Sequence, residues 1–321
     1  MSDLNKYPLV SIVIPVYNGS NYMHEAIDCA LNQTYPNIEV IVINDGSNDD
    51  GKTDSVAKSY GDKIRYFEKS NGGSSSAINL GIAQMRGEWF SWLSHDDLYV
   101  AEKVEKQIAF MESLQIDASD ISNHIFFSAS ELIDANGKVI RAFDEKKATK
   151  LAEKVDSFQH NGYLIAEPRK YNFHGCSCLI NKSAFENVGC FDESFRLLND
   201  LDMWYRLYAA NYKVHYIPEP LVKGRIHAKQ VSKSIGFSCH NPEQDLFCNR
   251  SLNWLLENCL DEELLFRFGC SMYMSTRYED GDRAFSYIKH LTTRQKIYKI
   301  VYKSIAGMRQ FAKNIYLKLK T

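Results

Sequence analysis

Two adjacent carboxylates, Asp96 and Asp97, close the short apolar run in SWLSHDDLY, residues 91–99. A buried strand that ends in paired acids can present a divalent cation to a phosphate, because hard cations take oxygen ligands. The same two acids would also suit a turn that caps the next helix. A third acid, Asp200 in LLNDLDMWYRL, stands just before Leu201, Trp204, Leu207 and Tyr208 at helical spacing, which puts it in a helix's first turn. The helix dipole favours a carboxylate there by about 0.3 to 1 kcal/mol. His227, in RIH, ends another short apolar run and is either a structural histidine or a ligand.

The elements that must position these groups follow a clear rhythm at first. Residues 9–16, LVSIVIPV, are a dense β-branched run of the kind buried on both faces of a sheet, and Pro15 marks where its ladder stops. Tyr17, Asn18 and Gly19 form a loop before a helix over residues 21–33, with Met23, Ile27, Ala30 and Leu31 on one face. A second strand, IEVIVI at 38–43, ends at Asn44-Asp45-Gly46-Ser47 before a polar helix around 53–59. A third, 64–67, leads through Asn71-Gly72-Gly73-Ser74 into a helix at about 75–85. A fourth, 89–93, delivers the acid pair, and Val104, Ile108 and Met111 mark the helix beyond it.

Four strand-helix units in succession predict an α/β chain with a doubly wound, mainly parallel, Rossmann-like sheet. Ligands of such sheets bind at the carboxyl ends of the strands, where Tyr17, Asn18, Asp45, Asn71 and Asp97 all fall. After residue 120 the pattern changes to a strand at 124–130, a hairpin turn at Asn136-Gly137 and a charged, poorly periodic stretch at 144–170 that reads as a flap or insertion. A strand over 173–181, a helix around 182–188 and short strands at 214–217 and 221–226 complete this part. His174 and Gly175 either line a site or make an ordinary turn.

Composition narrows the function classes. The chain has 321 residues, 45% hydrophobic and 24% charged, with a formal net charge of −2, so neither disorder nor a global attraction to nucleic acid is indicated. The eight cysteines form no CxxC pair, which argues against a zinc site or a disulfide framework and for a reducing compartment. No run reaches the roughly 18 apolar residues of a membrane span, and MSDLNKYPLV is unlike a signal peptide. GxGxxG, P-loop and GxSxG patterns are absent, as are tandem basic-aromatic motifs, so no nucleic-acid partner is expected.

Taken together, VSIVIPVYN at 10–18, VINDGSNDD at 42–50, NGG at 71–73, SHDD at 94–97 and NDLDMWYRL at 199–207 resemble the family-2 glycosyltransferases. These are inverting enzymes of GT-A fold that use nucleotide-activated sugars, and the resemblance covers about residues 8–230. It implies that Pro15, Tyr17, Asn18 and Asp45 cradle the base and ribose of the donor nucleotide, with Asn71 and Gly73 completing that wall. It implies Asp97 as ligand of a divalent cation, Mn²⁺ or Mg²⁺, on the diphosphate, Asp96 against the ribose or sugar, and Asp200 as the general base. His227 resembles a histidine that in some members approaches the metal or the diphosphate. Ser94 and Asn199 depart from the family pattern, each standing where many members carry an acid.

The expected layout is a transferase domain at 1–235, with a donor half at about 8–120 and an acceptor half at 121–235, and a helical region at 236–321. From Arg283 onward there are ten Lys or Arg and no Asp or Glu, interleaved with Ile297, Ile300, Val301 and other apolar residues. That pattern predicts a basic amphipathic tail lying on an anionic membrane surface, with a solvated or protein-docking helix as the alternative. The resemblance implies transfer from a UDP-sugar to a hydroxyl of a glycan or lipid-linked acceptor, in surface polysaccharide, lipopolysaccharide or capsule synthesis at the inner face of the cell membrane. A sugar-nucleotide-binding module without transfer is the competing class, and a processive synthase would ordinarily carry membrane spans.

Overall fold

The computed structural model describes residues 8–158, 160–168, 170–228, 230, 241–258 and 261–318, with the side chains of 306 and 309–318 excepted. The chain divides into two compact units, residues 1–159 with 173–234, and residues 160–172 with 235–321. The expected boundary at 235/236 lies outside the described residues.

In the first unit the β-branched runs are the strands of a parallel block, β1 (Val10–Val16), β2 (Ile38–Asn44), β3 (Arg65–Glu68) and β4 (Trp89–Trp92). Every β1 residue is buried, as expected of a strand covered on both faces. It pairs in parallel with β2 from Val10 opposite Ile38 to Val16 opposite Asn44, and with β4 on its other side. Three helices alternate with these strands, α1 (Met23–Leu31), α2 (Lys52–Ser59) and α3 (Ser74–Gln84). Helix α1 buries Met23, Ala26, Ile27 and Ala30, the i, i+3, i+4, i+7 stripe that ties it to the sheet. Helix α3 comes closer still, since a Cβ on its Gly81 would lie 2.2 Å from the Val13 side chain.

The parallel order then breaks. Next come β5 (Leu98–Tyr99), α4 (Lys103–Ser113), β6 (His124–Asp134), β7 (Val139–Arg141), α5 (Glu145–Asp156), α6 (Gly162–Ala166), β8 (Leu179–Asn181), α7 (Ser183–Val188), α8 (Asn199–Ala209) and β9 (Lys213–Ile226). The sheet runs β3-β2-β1-β4-β8-β6-β9-β5, with β7 on β6. Strand β8 is antiparallel to both β4 and β6, β9 is parallel to β6, and β5 is antiparallel to β9. The last pairing decides the site. Leu98 lies opposite Lys223, so the chain leaving the acid pair is zipped to β9 just before Arg225 and His227.

Three sequence expectations are corrected. The two strands at 214–217 and 221–226 are one strand, whose register against β6 slips around Ser128 to Ser130, opposite the Pro218 and Pro220 segment that cannot donate to the ladder. The strand expected over 173–181 is a tight helical turn at Gly175–Ser177 followed by three residues of β8. The charged stretch at 144–170, read as a flap or insertion without regular elements, carries two helices, α5 and α6. Asp144 caps α5 by accepting from the Lys147 N–H at 3.0 Å, and its buried face is Ala148, Ala152 and Val155, residues too small to make a visible apolar period.

The second unit is helical, with α6, α9 (Pro242–Asn258), α10 (Glu262–Met274), α11 (Tyr278–Ser286) and α12 (Thr293–Lys318). Leu252, Leu255, Leu264, Phe268, Tyr273 and Phe285 form its buried centre. The basic tail expected from Arg283 therefore begins inside this core, because Phe285 and Ile288 are buried, whereas Ile297, Ile300, Val301 and Met308 on α12 are exposed. Phe311, Ile315, Tyr316 and Leu317 lie outside the described side chains. Among the described residues no helix is long and apolar enough to cross a membrane.

Candidate active site

The carboxyl ends of β1, β2 and β3 carry the residues expected to hold the nucleotide, and they are tied to one another. Asn18, in the left-handed region at φ 51°, donates its Nδ2–H to Asn48 Oδ1 at 2.7 Å and accepts from the Asn48 N–H at 2.8 Å. Tyr17 beside it is 43% exposed, a ring available for a planar partner. Pro15 lies in β1 opposite Ile43, one residue short of the strand's end. Asp45 is buried, and its carboxylate accepts from Lys69 Nζ and the Gly72 N–H at 2.9 Å and from the Gly73 N–H at 2.7 Å. Its carbonyl accepts from Asn71 Nδ2 at 2.9 Å. Asp45 thus moulds the 69–73 loop. Gly73 at φ +92° and Gly46 at φ +66° supply the backbone turns this needs, and a Cβ on Gly46 would strike the Asn71 nitrogen at 2.6 Å.

The acid pair is held differently. Asp97 is 6% exposed, and Oδ1 accepts from the Arg225 backbone N–H at 2.8 Å. Its Oδ2 meets only the Cys176 thiol at 3.2 Å and His174 Nε2 at 3.8 Å. Burial pushes its carboxyl up to about 6, a charge short of compensation even with His174 nearby, and the adjacent Asp96 adds to the rise. Asp96 stands in the opposite balance. Burial would raise it, but His95 and a 2.9 Å contact to His227 Nε2 hold it below the usual carboxylate range. His227, the other candidate metal ligand, therefore faces Asp96, and Tyr22 packs on its ring at 5.1 Å.

Asp200 occupies the first turn of α8, as its spacing predicted. One carboxylate oxygen accepts from the Leu201 N–H at 2.7 Å, and burial outweighs that bond and the charge of His174 to push the carboxyl up to about 6. The helix is pinned at both ends of its buried face. Trp204, fully buried, donates its indole N–H to the Phe173 carbonyl at 3.0 Å, next to His174. Arg206 holds Asp202 at 2.8 Å and the carbonyls of Val188, Gly189 and Cys190. His174 is thus the group whose charge reaches both raised acids.

Three residues here, Cys176, Arg225 and Lys103, had no assigned role in the sequence, and His174 was expected only to line a site or make a turn. His174 and Cys176 approach Asp97 closely enough that their ligand atoms lie within 4.8 Å of one another. Arg225 is 2% exposed; its guanidinium donates to the Asp96 carbonyl at 2.8 Å and to Glu25 at 2.7 Å, and lies 4.4 Å over the Tyr22 ring. The sequence places Arg225 two residues before His227, at the end of β9. Lys103, fully buried, spends its ammonium on Ser91, Gln107 and the Cys178 carbonyl and lies 4.2 Å over the Tyr99 ring. A lysine on the apolar face of a helix gave no usable sign.

Asp97 fits a divalent cation, because its Oδ2 is a buried acceptor with no cationic donor within hydrogen-bond distance among the described residues. The ring of His174 fits less well as a direct ligand. Its Nδ1 accepts from the Cys176 N–H at 3.2 Å, which in the neutral ring leaves the proton on Nε2, the atom facing Asp97.

A mainly parallel α/β sheet with a loop-walled cleft and buried acids at the strand ends is the plan of the GT-A glycosyltransferase fold. Solved structures bear this out. Staphylococcus aureus TarS residues 1–349, in complex with UDP-GlcNAc, superpose with a TM-score of 0.65 at 14% identity, covering 94% of this chain and 91% of that one. Residues 11–189 match the family described as "Glycosyl transferase family 2", and the chain belongs to it. An uncharacterized glycosyltransferase of Rickettsia bellii is 44% identical over 271 residues, 84% of this chain but 36% of that protein. The chain likewise spans 40% and 42% of the relatives from Rickettsia felis and Rickettsia conorii. The minor teichoic acid biosynthesis protein GgaB of Bacillus subtilis is 30% identical over 196 residues, 59% of this chain and 20% of that protein.

Proposed function

We propose that this chain is an inverting, metal-dependent transferase that moves a hexosyl or N-acetylhexosaminyl group from a UDP-sugar to a hydroxyl of a surface glycan or its lipid-linked precursor. The observation that carries this is the pair of raised carboxyls, Asp97 and Asp200, set on separate elements and both within the field of His174. A family-2 relative in teichoic acid synthesis and a fold neighbour in complex with UDP-GlcNAc support the choice of donor and acceptor class.

Asp97 would hold the cation, Mn²⁺ or Mg²⁺, which as a Lewis acid supplies charge stabilisation to the departing diphosphate. Asp200 takes the proton of the acceptor hydroxyl. An acid lifted to about 6 is still ionised at neutral pH yet is a stronger base than an ordinary aspartate, the balance general-base catalysis favours. Attack from the face opposite the leaving group needs no nucleophile on the protein and inverts the anomeric centre. Tyr17, Asn18 and the loop moulded by Asp45 form the nucleotide wall, and Asp96 with His227 lies toward the ribose or sugar.

Donor hydrolysis decides between this reading and a module that only binds. Release of UDP from UDP-sugars with Mn²⁺, abolished by chelation and by Asp200→Asn, is the expected result; tight UDP binding with no turnover would overturn it. We extend the proposal to location. The exposed Ile297, Ile300, Val301 and Met308, with Lys296 exposed on the same helix, suit the surface of an anionic bilayer at the inner face of the membrane. Sedimentation with phosphatidylserine vesicles should fall on Ile300→Ser/Val301→Ser, and equal sedimentation would remove the membrane from the reading.

A further inference from the structure

The helical second unit contains a cavity of about 820 Å³ whose lining includes Glu167, Glu263, Arg267, Arg294, Gln295 and Tyr298. All belong to segments of that unit, and none is among the residues of the acid site. The volume falls in the range of small-molecule sites.

Its polar groups are half committed. Arg267 reaches Glu167 with Nη1 at 3.4 Å and Glu263 with Nη2 at 2.9 Å, and its guanidinium carbon lies 5.4 Å over the Tyr163 ring. Its Nε–H is buried and has no hydrogen-bond acceptor among the described residues. A buried donor left without an acceptor costs about 1–3 kcal/mol, so this side chain is incompletely satisfied. Gln295 donates weakly to Glu263 at 3.4 Å, and Arg294 points Nη2 to the Tyr298 hydroxyl at 3.2 Å. Tyr298 is 40% exposed.

We propose that this cavity is a glycan-binding subsite, taking a short run of pyranose rings. The lining itself discriminates among ligand classes. A purely apolar ligand would strand the carboxylates, guanidinium groups and amide. A free phosphate would have to sit beside the carboxylates of Glu167 and Glu263, with Arg267 already paired to both. Sugar hydroxyls both donate and accept, which matches carboxylate acceptors alternating with guanidinium and amide donors. The C–H faces of a pyranose pack on tyrosine rings, which combine an apolar face with a polar tip. The subsite deepens the transferase reading and rests on it only for the class of acceptor, giving the enzyme a hold on the glycan apart from the reacting hydroxyl.

Saturation-transfer NMR on the full chain, with chitotetraose and maltotetraose as probes and inorganic phosphate as competitor, tests this. Saturation should pass to the sugar ring protons of at least one probe, persist in Asp200→Asn and survive millimolar phosphate. Arg267→Met should weaken binding roughly tenfold, the loss of one hydrogen bond to a charged group. Should that variant unfold, exposed Tyr298→Ala provides the second measurement, with a similar loss expected. No transfer to either probe in the wild type, displacement by phosphate, or loss in Asp200→Asn with none in Tyr298→Ala would each overturn the subsite. Donor hydrolysis by the wild type involves neither probe, so failure of the transferase reading is seen separately.

Discussion

Asp45 and Asp200 are both aspartates at the mouth of the same sheet, yet they are handled in opposite ways. Asp45 receives three donors, Lys69 Nζ and the Gly72 and Gly73 N–H groups, and its carbonyl holds Asn71. Asp200 receives one N–H, from Leu201, and is pushed up to about 6. Asp97 resembles Asp200, with one backbone donor and a thiol. A buried acid that is fully donated to is part of the scaffold. A buried acid that is left short is poised to take a cation or a proton, and the fold has accepted the cost of keeping it so.

The largest effects should come from the undersupplied acids. Asp200→Asn removes the proton acceptor while keeping shape, so transfer should fall about 10²- to 10⁴-fold with UDP affinity little changed. The wild-type rate should also drop as pH falls through about 6, where Asp200 protonates; His174, Cys178 and Tyr208 are the groups whose charge reaches it or feels it. A rate profile flat from pH 5 to 8, or near-normal turnover in the variant, would remove Asp200 from the chemistry. Asp97→Asn should instead abolish the Mn²⁺-dependent part of UDP binding, read by calorimetry with and without the metal. Unchanged affinity would assign the cation elsewhere.

Asp45→Ala sharpens the contrast from the other side. It leaves the Gly72 and Gly73 N–H groups without their acceptor and the Lys69 ammonium with only the Ser70 carbonyl, and should cost about 1–3 kcal/mol of stability in urea unfolding. Weakened UDP binding should accompany this, since the loop bearing Asn71 loses its mould. Loss of UDP binding with full stability would make Asp45 a direct ligand rather than a scaffold acid.

How much of this could be read beforehand follows the same division. The parallel block was legible because β-branched strands alternate with apolar helical stripes, and strand ends are where such sheets bind ligands. Asp97 and Asp200 were legible from a strand end and a helix start. What stayed hidden depended on pairing across long sequence distances. Only the antiparallel docking of β5 on β9 seats Arg225 against both acids, 128 residues away from Asp97. Only the turn at Gly175–Ser177 turns a stretch that reads as strand into a wall of the acid pocket, where a Cβ on Gly175 would meet the Trp92 ring at 2.6 Å. The contact of His227 with Asp96 likewise joins residues 131 apart, which the motif RIH does not specify.

A stability change of opposite sign discriminates most sharply between the two kinds of acid. Asp200 has a folded value raised above its unfolded one, so the folded chain binds its proton more tightly. Ionised Asp200 therefore weakens the fold above about pH 6, and that penalty fades as pH falls toward 4. Asparagine does not titrate. Asp200→Asn should accordingly be more stable than wild type at pH 7.5, by at most about 3 kcal/mol for a shift of roughly two units, and the gain should shrink toward zero near pH 4. Asp97, raised into the same range, titrates in both proteins, so the difference between their melting curves isolates Asp200. A stability gain independent of pH, or a loss at pH 7.5 like that expected of Asp45→Ala, would place Asp200 among the scaffold acids.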